Sequence, residues 1–557
     1  MVRPSIYLLR LLQIAPDPRR VFFRSKGFVD SVFVRFLAMN GDSVPGFRPD
    51  RQRLIAASFL ALCALIPALS AAETQPPRTL SLADCVQSSL EHNFDLKVQR
   101  YNPALASNNI HLAYGDYDPV FSMTGVHDYS RQPAGFDGTG SRYDGTTTKT
   151  DSFNAQVSDR LPSGATVSLG ADLSDSYGHR PSVSTNGIYS GRSLFDSSRG
   201  TVTFVQLQQP LLRNLWTDAT RLNIRLRRHD LKTSELVLRQ LMMNVVFNVE
   251  QTYYALIAAR ENIKVQEKAL ELAQRLYDEN QQKVKIGVMA PLDEKQAQSQ
   301  VASSQSSLIT AERAYSAQEN ILKNLITDDY EKIHQIPFVP SEDLKALNQP
   351  FDLQESWNSA FNHRADLHQL IVDLERRQAS LRYDRNQLFP QLDLIGTYGH
   401  NALSDEFSGS LGQFASGSGP FYSVGATISV PFTNRKARDT YRATRLEQAQ
   451  AQDKLKQFRQ TVMVQVDDAI KESRASLRRV GATREAREYA EAALQAEQDK
   501  FRAGTSTVFL VLQLQRNLTT ARSEEIGALA DYNKAISNLG LREGTILGRN
   551  RIDIEVK

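Results

Sequence analysis

The chain contains itself twice, in a register that subtraction exposes. When residues 80 to 125 are set over residues 351 to 396 at a constant offset of 271, Leu82 falls on Leu353, Asp84 on Glu355, His92 on His363, Asp95 on Asp366, Leu96 on Leu367, Pro119 on Pro390 and Gly125 on Gly396. Farther along, an offset of 217 sets Gly287 on Gly504, Gln298 on Gln515, Ala311 on Ala528, Tyr315 on Tyr532 and Leu322 on Leu539. The offset falls by 54 because the first copy carries an insertion between the two sets of anchors. A period above about 200 residues is too long for a solenoid unit, so this is one duplicated domain. Its function lies in what two such halves build together.

Residues 54–69 form an apolar stretch preceded by Arg48, Arg51 and Arg53 and followed by Ser70, Ala71 and Ala72. The stretch is short for a bilayer-spanning helix and Pro67 interrupts it, while the small residues suit a signal peptidase. A secretory signal cleaved after Ala72 is expected, with an upstream extension before it and Met39 as the next methionine; a retained anchor is the other reading. Residues 1–72 hold ten Lys or Arg and four Asp or Glu, and the whole chain carries +4, so the remainder is about −2. A basic leader does not argue for nucleic acid. Of two cysteines, Cys63 lies in the signal and Cys85 stands alone, which excludes a disulfide framework and a multi-cysteine metal site. Leu62 before Cys63 departs from the small residue that a lipoprotein signal needs. No later stretch approaches 18 consecutive apolar residues, so entry into a membrane requires a β-barrel.

Each half reads as a short helix, a helix, a strand, a polar loop, a strand, a very long helix, a turn and a medium helix. Every second residue is apolar over Thr166 to Leu173; Val424, Ala426, Ile428 and Val430 alternate with polar or small neighbours, as do Leu392, Leu394 and Gly396. Period-2 alternation suits a wall between lipid and water, and equally an ordinary half-buried strand. Loops rich in Gly, Ser, Thr and Asp are expected at 131–150, 177–200 and 401–420. Proline-free helical segments run from about Thr217 to Lys285 and from about Thr433 to Arg502, each roughly 100 Å long at 1.5 Å per residue. Their apolar residues keep a heptad seam: Val249, Leu256, Ile263, Leu270 and Tyr277 with Thr252, Ala259, Gln266 and Ala273, then Val462, Val466, Ala469, Ser473, Ser476 and Val480. Gly287 followed by Pro291 punctuates an αα-hairpin, with Gly504 at the matching turn. The helices expected at about Phe94 to Gly115 and Pro291 to Thr327 nearly match the long helix when stacked end to end. Each half thus becomes a long helical stave crowned by strands.

These features, in this order, resemble the TolC family of outer-membrane efflux and secretion channels over nearly all of residues 79–545. The resemblance is carried by Asp118-Pro119 and Phe389-Pro390 before the strands, by Gln209-Pro210-Leu211-Leu212 and Val430-Pro431-Phe432 after them, and by the segments from Val284 to Gln298 and from Phe501 to Gln515. It implies a mixed α and β membrane fold in which three copies form an outer-membrane β-barrel continued by a periplasmic α-helical barrel. It also implies a periplasmic adaptor and an inner-membrane pump of RND, ABC or MFS type as partners, outer-membrane lipid around the barrel and no nucleic acid. The segments are residues 1–72 as extension and signal, 73–340 as the first repeat, 341–545 as the second and 546–557 as a tail. Independently, four to six strands per chain cannot close a spanning barrel, and open edges in lipid leave backbone groups unpaired, so closure must be oligomeric. Residues Asn154 to Leu161 and Ala165 to Leu173, joined at Pro162-Ser163-Gly164, form an extra hairpin that either extends the barrel or lies in the extracellular loop.

The tip turns Ile286, Gly287, Val288 and Arg502, Gly504, Thr505 are implied by the resemblance to dock the adaptor. The family holds its entrance closed with an aspartate after the first tip, bridged to a tyrosine and an arginine around the second, and lines it with an acidic pair. Here the aspartate survives as Asp293, but its partner positions are Phe501 and Ser506, and Leu510 and Gln513 stand in place of the acidic pair. The resemblance therefore does not by itself imply the family's closing mechanism here. No enzyme is expected, since HExxH, GxSxG and a phosphate-cradling GxxxxGK[ST] are absent and Gly138-Thr139-Gly140 lacks a third glycine. Nor is a cofactor or metal: none of the nine histidines pairs at ligand spacing with a third ligand nearby, and His92 and His363 are expected at helix starts. Besides a passive export duct, a structural periplasmic coiled coil fits the helices but not the duplicated strands, and a monomeric porin fits the strands but not the helices.

Overall fold

The computed structural model describes residues 78–184, 187 and 189–552. The expected leader and signal, and part of the expected tail, lie outside these residues. The first copy runs β1 (Arg78–Leu80), α1 (Leu82–His92), α2 (Phe94–Tyr114), β2 (Val120–Arg131), β3 (Gly135–Phe136), β4 (Arg142–Tyr143), β5 (Thr147–Arg160), β6 (Thr166–Val183), β7 (Tyr189–Pro210), α3 (Ala219–Lys285), α4 (Pro291–Ile326) and α5 (Tyr330–Ile333). The second runs β8 (Phe338–Pro340), α6 (Leu353–His363), α7 (Ala365–Asn386), β9 (Gln391–Ser404), α8 (Phe407–Ser416), β10 (Pro420–Ser429), α9 (Arg435–Arg502), α10 (Val508–Glu543) and α11 (Ile546–Arg549).

The duplication is visible residue by residue. α1 and α6 have 11 residues each, opening at the aligned Leu82 and Leu353 and closing at the aligned His92 and His363. Both histidines thus end short helices and do not start them, because Asn93 and Arg364 leave the helical conformation immediately afterwards. A helix C-terminus favours such a donor, and His92 Nδ1 lies 3.4 Å from Asp328 while His363 Nδ1 lies 2.9 Å from the Ser359 carbonyl. Ser81 and Asp84 form a reciprocal capping box on α1, and the Asn93 side chain accepts from the Leu96 N–H to restart the chain as α2.

The long helices α3 and α9 have 67 and 68 residues, each about 100 Å of rise. α2 and α4, of 21 and 36 residues, both pack along α3, and α7 and α10, of 22 and 36, along α9. α3 also touches α7 and α10, so the two staves lie side by side. Val462, Val466, Ala469, Ser473 and Val480 of the expected seam are buried on α9. On α3 the core is broader than the seam, taking in Val246, Val249, Tyr253, Leu256 and Ile257, while Ile263, Leu270 and Tyr277 are only half covered. The extra burial comes from a collar: β1 pairs in parallel with β8, and Leu80 and Phe338 close over this part of α3 with Leu322 of α4. The duplicated tyrosines tie each stave to its connecting segment, Tyr315 donating to the Phe338 carbonyl and Tyr532 to that of Leu347.

The collar hides an ion pair. Lys323 Nζ lies 2.9 Å from the Glu319 carboxylate and donates to the His334 carbonyl at 3.0 Å, while Glu319 accepts the Phe338 N–H at 2.8 Å. Lys323 is 2% exposed and Glu319 9%. Removing one member strands the other without solvent, so Lys323→Met is expected to cost about 3–5 kcal/mol in the thermal unfolding of detergent-extracted protein. A loss below about 1 kcal/mol contradicts this, since that is the range of an exposed pair.

The strands form one six-stranded sheet in the order β10-β9-β7-β6-β5-β2, with every neighbouring pair antiparallel. Three expected loops are shorter than their composition suggests. Residues 177–183 and 189–200 belong to β6 and β7, paired from Tyr177↔Asp196 outward, because the neighbouring strand satisfies their backbone groups whatever the side chains. The 131–150 segment carries the small β3–β4 hairpin and the start of β5, and α8 fills most of 405–420. α8 folds over β7: the Ser410 hydroxyl donates to the Ser198 carbonyl at 3.2 Å, and the Phe414 ring takes the space that a side chain at Gly200 would need. No described helix is long and apolar enough to cross a membrane.

Candidate functional site

At the far end of α3 the chain turns back through Gly287, and at the far end of α9 through Gly504. The two turns are the same object. Gly287 N–H donates to the Val284 carbonyl at 3.0 Å and Val288 N–H to Lys283 at 2.9 Å; Gly504 donates to Phe501 at 3.1 Å and Thr505 to Lys500 at 3.0 Å. Each glycine is left-handed, at φ +77° and +80°, which makes both ends Schellman caps. Nothing lies within 4 Å of a Cβ built on either, so glycine is needed for its backbone and not for space. Pro291 then occupies the first turn of α4, where a missing N–H costs nothing.

The tips differ in chemistry although they share a backbone. The first is apolar: Ile286 and Val288 are 73% and 74% exposed, and Leu292 beside them 67%. The second is polar, with exposed Arg502 at 3.3 Å from Asp499, followed by Gly504 and Thr505. Behind them Leu276 of α3, Leu494 of α9 and Val508, Val511 and Leu512 of α10 form a small core that Met289 and Phe501 close. Lys283 Nζ sits 4.5 Å from the Phe501 ring centroid, a cation–π contact joining the two hairpins.

The entrance residues fall into three groups. Asp293 is half-buried in the first turn of α4, and among the described residues its carboxylate makes no hydrogen bond or ion pair. Phe501 and Ser506 are engaged elsewhere: the first lies under Lys283, and the Ser506 hydroxyl donates to the Glu497 carboxylate. That hydroxyl foremost, with Lys500 at 3.4 Å, holds Glu497 below the usual carboxylate range. Leu510 and Gln513, three residues apart, share the exposed face of α10, opposite Val508, Val511 and Leu512. Among the described residues no cluster of three metal-ligating side chains occurs.

Three residues here went unnoticed in the sequence: Lys283, Glu497 and Asn280. The repeat carried the signal, since the offset of 217 that aligns the glycines also sets Lys283 on Lys500 and Asn280 on Glu497. Asn280 is fully buried with neither polar atom of its side chain paired, which costs about 1–3 kcal/mol.

Comparison with known proteins places this geometry. Residues 85–327 and 357–543 match the profile of the outer membrane efflux proteins. The pyoverdine export outer membrane protein OpmQ of Pseudomonas aeruginosa is 23% identical over 310 residues, which cover 53% of this chain and 60% of OpmQ. The chain thus spans about 60% of the length of that curated relative. Among solved structures, the outer-membrane channel OprN superposes with a TM-score of 0.59 at 18% identity, over 83% of this chain and 90% of that one. The Campylobacter jejuni CmeC outer membrane channel gives 0.58 at 15%, over 84% and 86%. At such identities the likeness establishes the fold.

Proposed function

The chain belongs to the outer membrane efflux protein family, a family of outer-membrane channels with a large periplasmic helical part, and from this premise we propose that it is the exit duct of a tripartite efflux or type I secretion system. Three copies join into one β-barrel and one helical barrel, an adaptor docks on the tips, and an inner-membrane pump of RND, ABC or MFS type supplies the cargo, which the duct passes on without chemistry of its own. One observation carries the reading: among the described residues the sheet has two unpaired edges that run in opposite directions. β2 leaves the helical end of the sheet and β10 returns to it, so β10 of one copy suits antiparallel pairing with β2 of the next. An unpaired backbone group costs several kcal/mol in lipid, and six strands are too few to close alone.

Electrophoresis of outer-membrane extracts, with and without boiling, tests this. A trimer that heat converts to monomer is expected, together with loss of export when the protein is deleted. A soluble periplasmic protein that stays monomeric overturns it and favours the structural coiled coil. OpmQ is named for pyoverdine export, so a small secreted molecule of that kind is the first cargo to try.

A further inference from the structure

The insertion in the first copy places two strands, β5 and β6, between β2 and β7, which do not pair with each other. A hairpin folded from an extracellular loop turns around outside the membrane. This one turns at the helical end. Leu161 N–H donates to the Ala165 carbonyl at 2.8 Å, Gly164 adopts φ +88°, and the Ser163 carbonyl accepts the Trp216 N–H at 3.3 Å. Trp216 lies in the link from β7 to α3, so the turn sits at the junction between sheet and helices. With 14 and 18 residues, β5 and β6 both exceed the 9–11 that a tilted strand needs to cross a bilayer.

The faces of the hairpin agree with those of the strands beside it. Phe121, Val157 and Leu169 form one cross-strand row on β2, β5 and β6, and Met123, Ala155 and Ala171 form the next on the same face. Between them Ser122, Gln156 and Gly170 make a polar row on the other face. A slip of one residue would exchange the two faces. The register therefore continues one apolar surface from β2 across the insertion, and β7 extends it with Val202 opposite Ala171.

We propose that the β5–β6 hairpin is a full membrane-spanning part of the barrel wall, its Val157 and Leu169 face held against lipid acyl chains, so that three copies close a barrel of eighteen strands. The proposal rests on the exit-duct reading above. At about 4.8 Å between strands and a tilt of about 40°, eighteen strands give a circumference of about 110 Å and a backbone diameter of about 35 Å. Barrels of 16–18 strands leave an aqueous channel that side chains do not fill. The outer-membrane exit then imposes no size selection, which falls entirely to the periplasmic tips.

Single cysteines introduced with Cys63→Ser in the full-length protein test this, because the other native cysteine, Cys85, is fully buried and its thiol is pushed up to about 12 by that burial, leaving it inert to thiol reagents at neutral pH. Ala155→Cys and Gln156→Cys probe the hairpin; Met123→Cys and Ser122→Cys probe β2 as a control. In variants that keep the heat-modifiable oligomer, a charged maleimide is expected to label Gln156→Cys at least tenfold faster than Ala155→Cys. A fluorophore at Ala155→Cys should in turn be quenched by lipid-borne nitroxide, as one at Met123→Cys is. Equal labelling of both hairpin cysteines while the β2 pair alternates overturns the proposal and leaves the channel reading standing. Loss of alternation in the β2 pair removes both. Strand counting by electron microscopy of the wild-type oligomer needs no variant: eighteen supports the wall and twelve refutes it.

Discussion

Replacing Gly287 or Gly504 by proline is expected to cut export by roughly tenfold or more while leaving a heat-modifiable oligomer in the outer membrane. Two independent defects arise in each variant. Proline is fixed near φ −65°, whereas these positions stand at +77° and +80°. It also lacks the N–H that Gly287 gives to Val284 and Gly504 gives to Phe501. Together these amount to a few kcal/mol, spent at the end of a helix about 100 Å long and far from the strands. Alanine separates the two defects, since it keeps the N–H and meets only the left-handed strain of about 1–2 kcal/mol; an intermediate loss of export is expected from it. Disappearance of the oligomer in both proline variants shows that the turns serve folding. Normal export in both shows that the tips dock nothing.

The tips were legible because glycine and proline act through the backbone, and the backbone follows sequence locally. The expected ends of both long helices at Lys285 and Arg502 coincide with those observed. Strand composition was less informative above the membrane, where Tyr177 to His179 and Leu194 to Asp196 read as loop and yet pair as ladder. Their side chains carry no apolar alternation, and only the partner strand, 15 to 19 residues away, fixes them. The β1–β8 collar was invisible for the same reason: three residues at 78–80 pair with three at 338–340. At the site, the Lys283 contact with Phe501 and the Ser506 bond to Glu497 depend on how two hairpins face each other. Spacing along one chain does not carry that information.

The entrance is expected to be weakly cation-selective and to resist block by multivalent cations applied from the periplasmic side. In the proposed trimer, Leu510 and Gln513 on the exposed face of α10 contribute three leucines and three amides where the resembling family presents carboxylates. A ring of charge attracts ions of opposite sign, and an uncharged ring does not. Three carboxylates at about 10 Å would attract a monovalent cation by about 1 kcal/mol in water before screening, a several-fold enrichment. Leu510→Asp is therefore expected to raise cation selectivity several-fold in single-channel recordings and to create block by trivalent cations. Asp293 is the competing source of charge, because its carboxylate is half-buried and unpaired among the described residues. Any weak selectivity of the wild type should accordingly fall in Asp293→Ala. Strong trivalent block in the wild type that survives Asp293→Ala refutes the uncharged entrance, because neither candidate position then supplies the charge. An unchanged response in Leu510→Asp refutes it from the other side, by showing that the exposed face of α10 does not line the path of the ion.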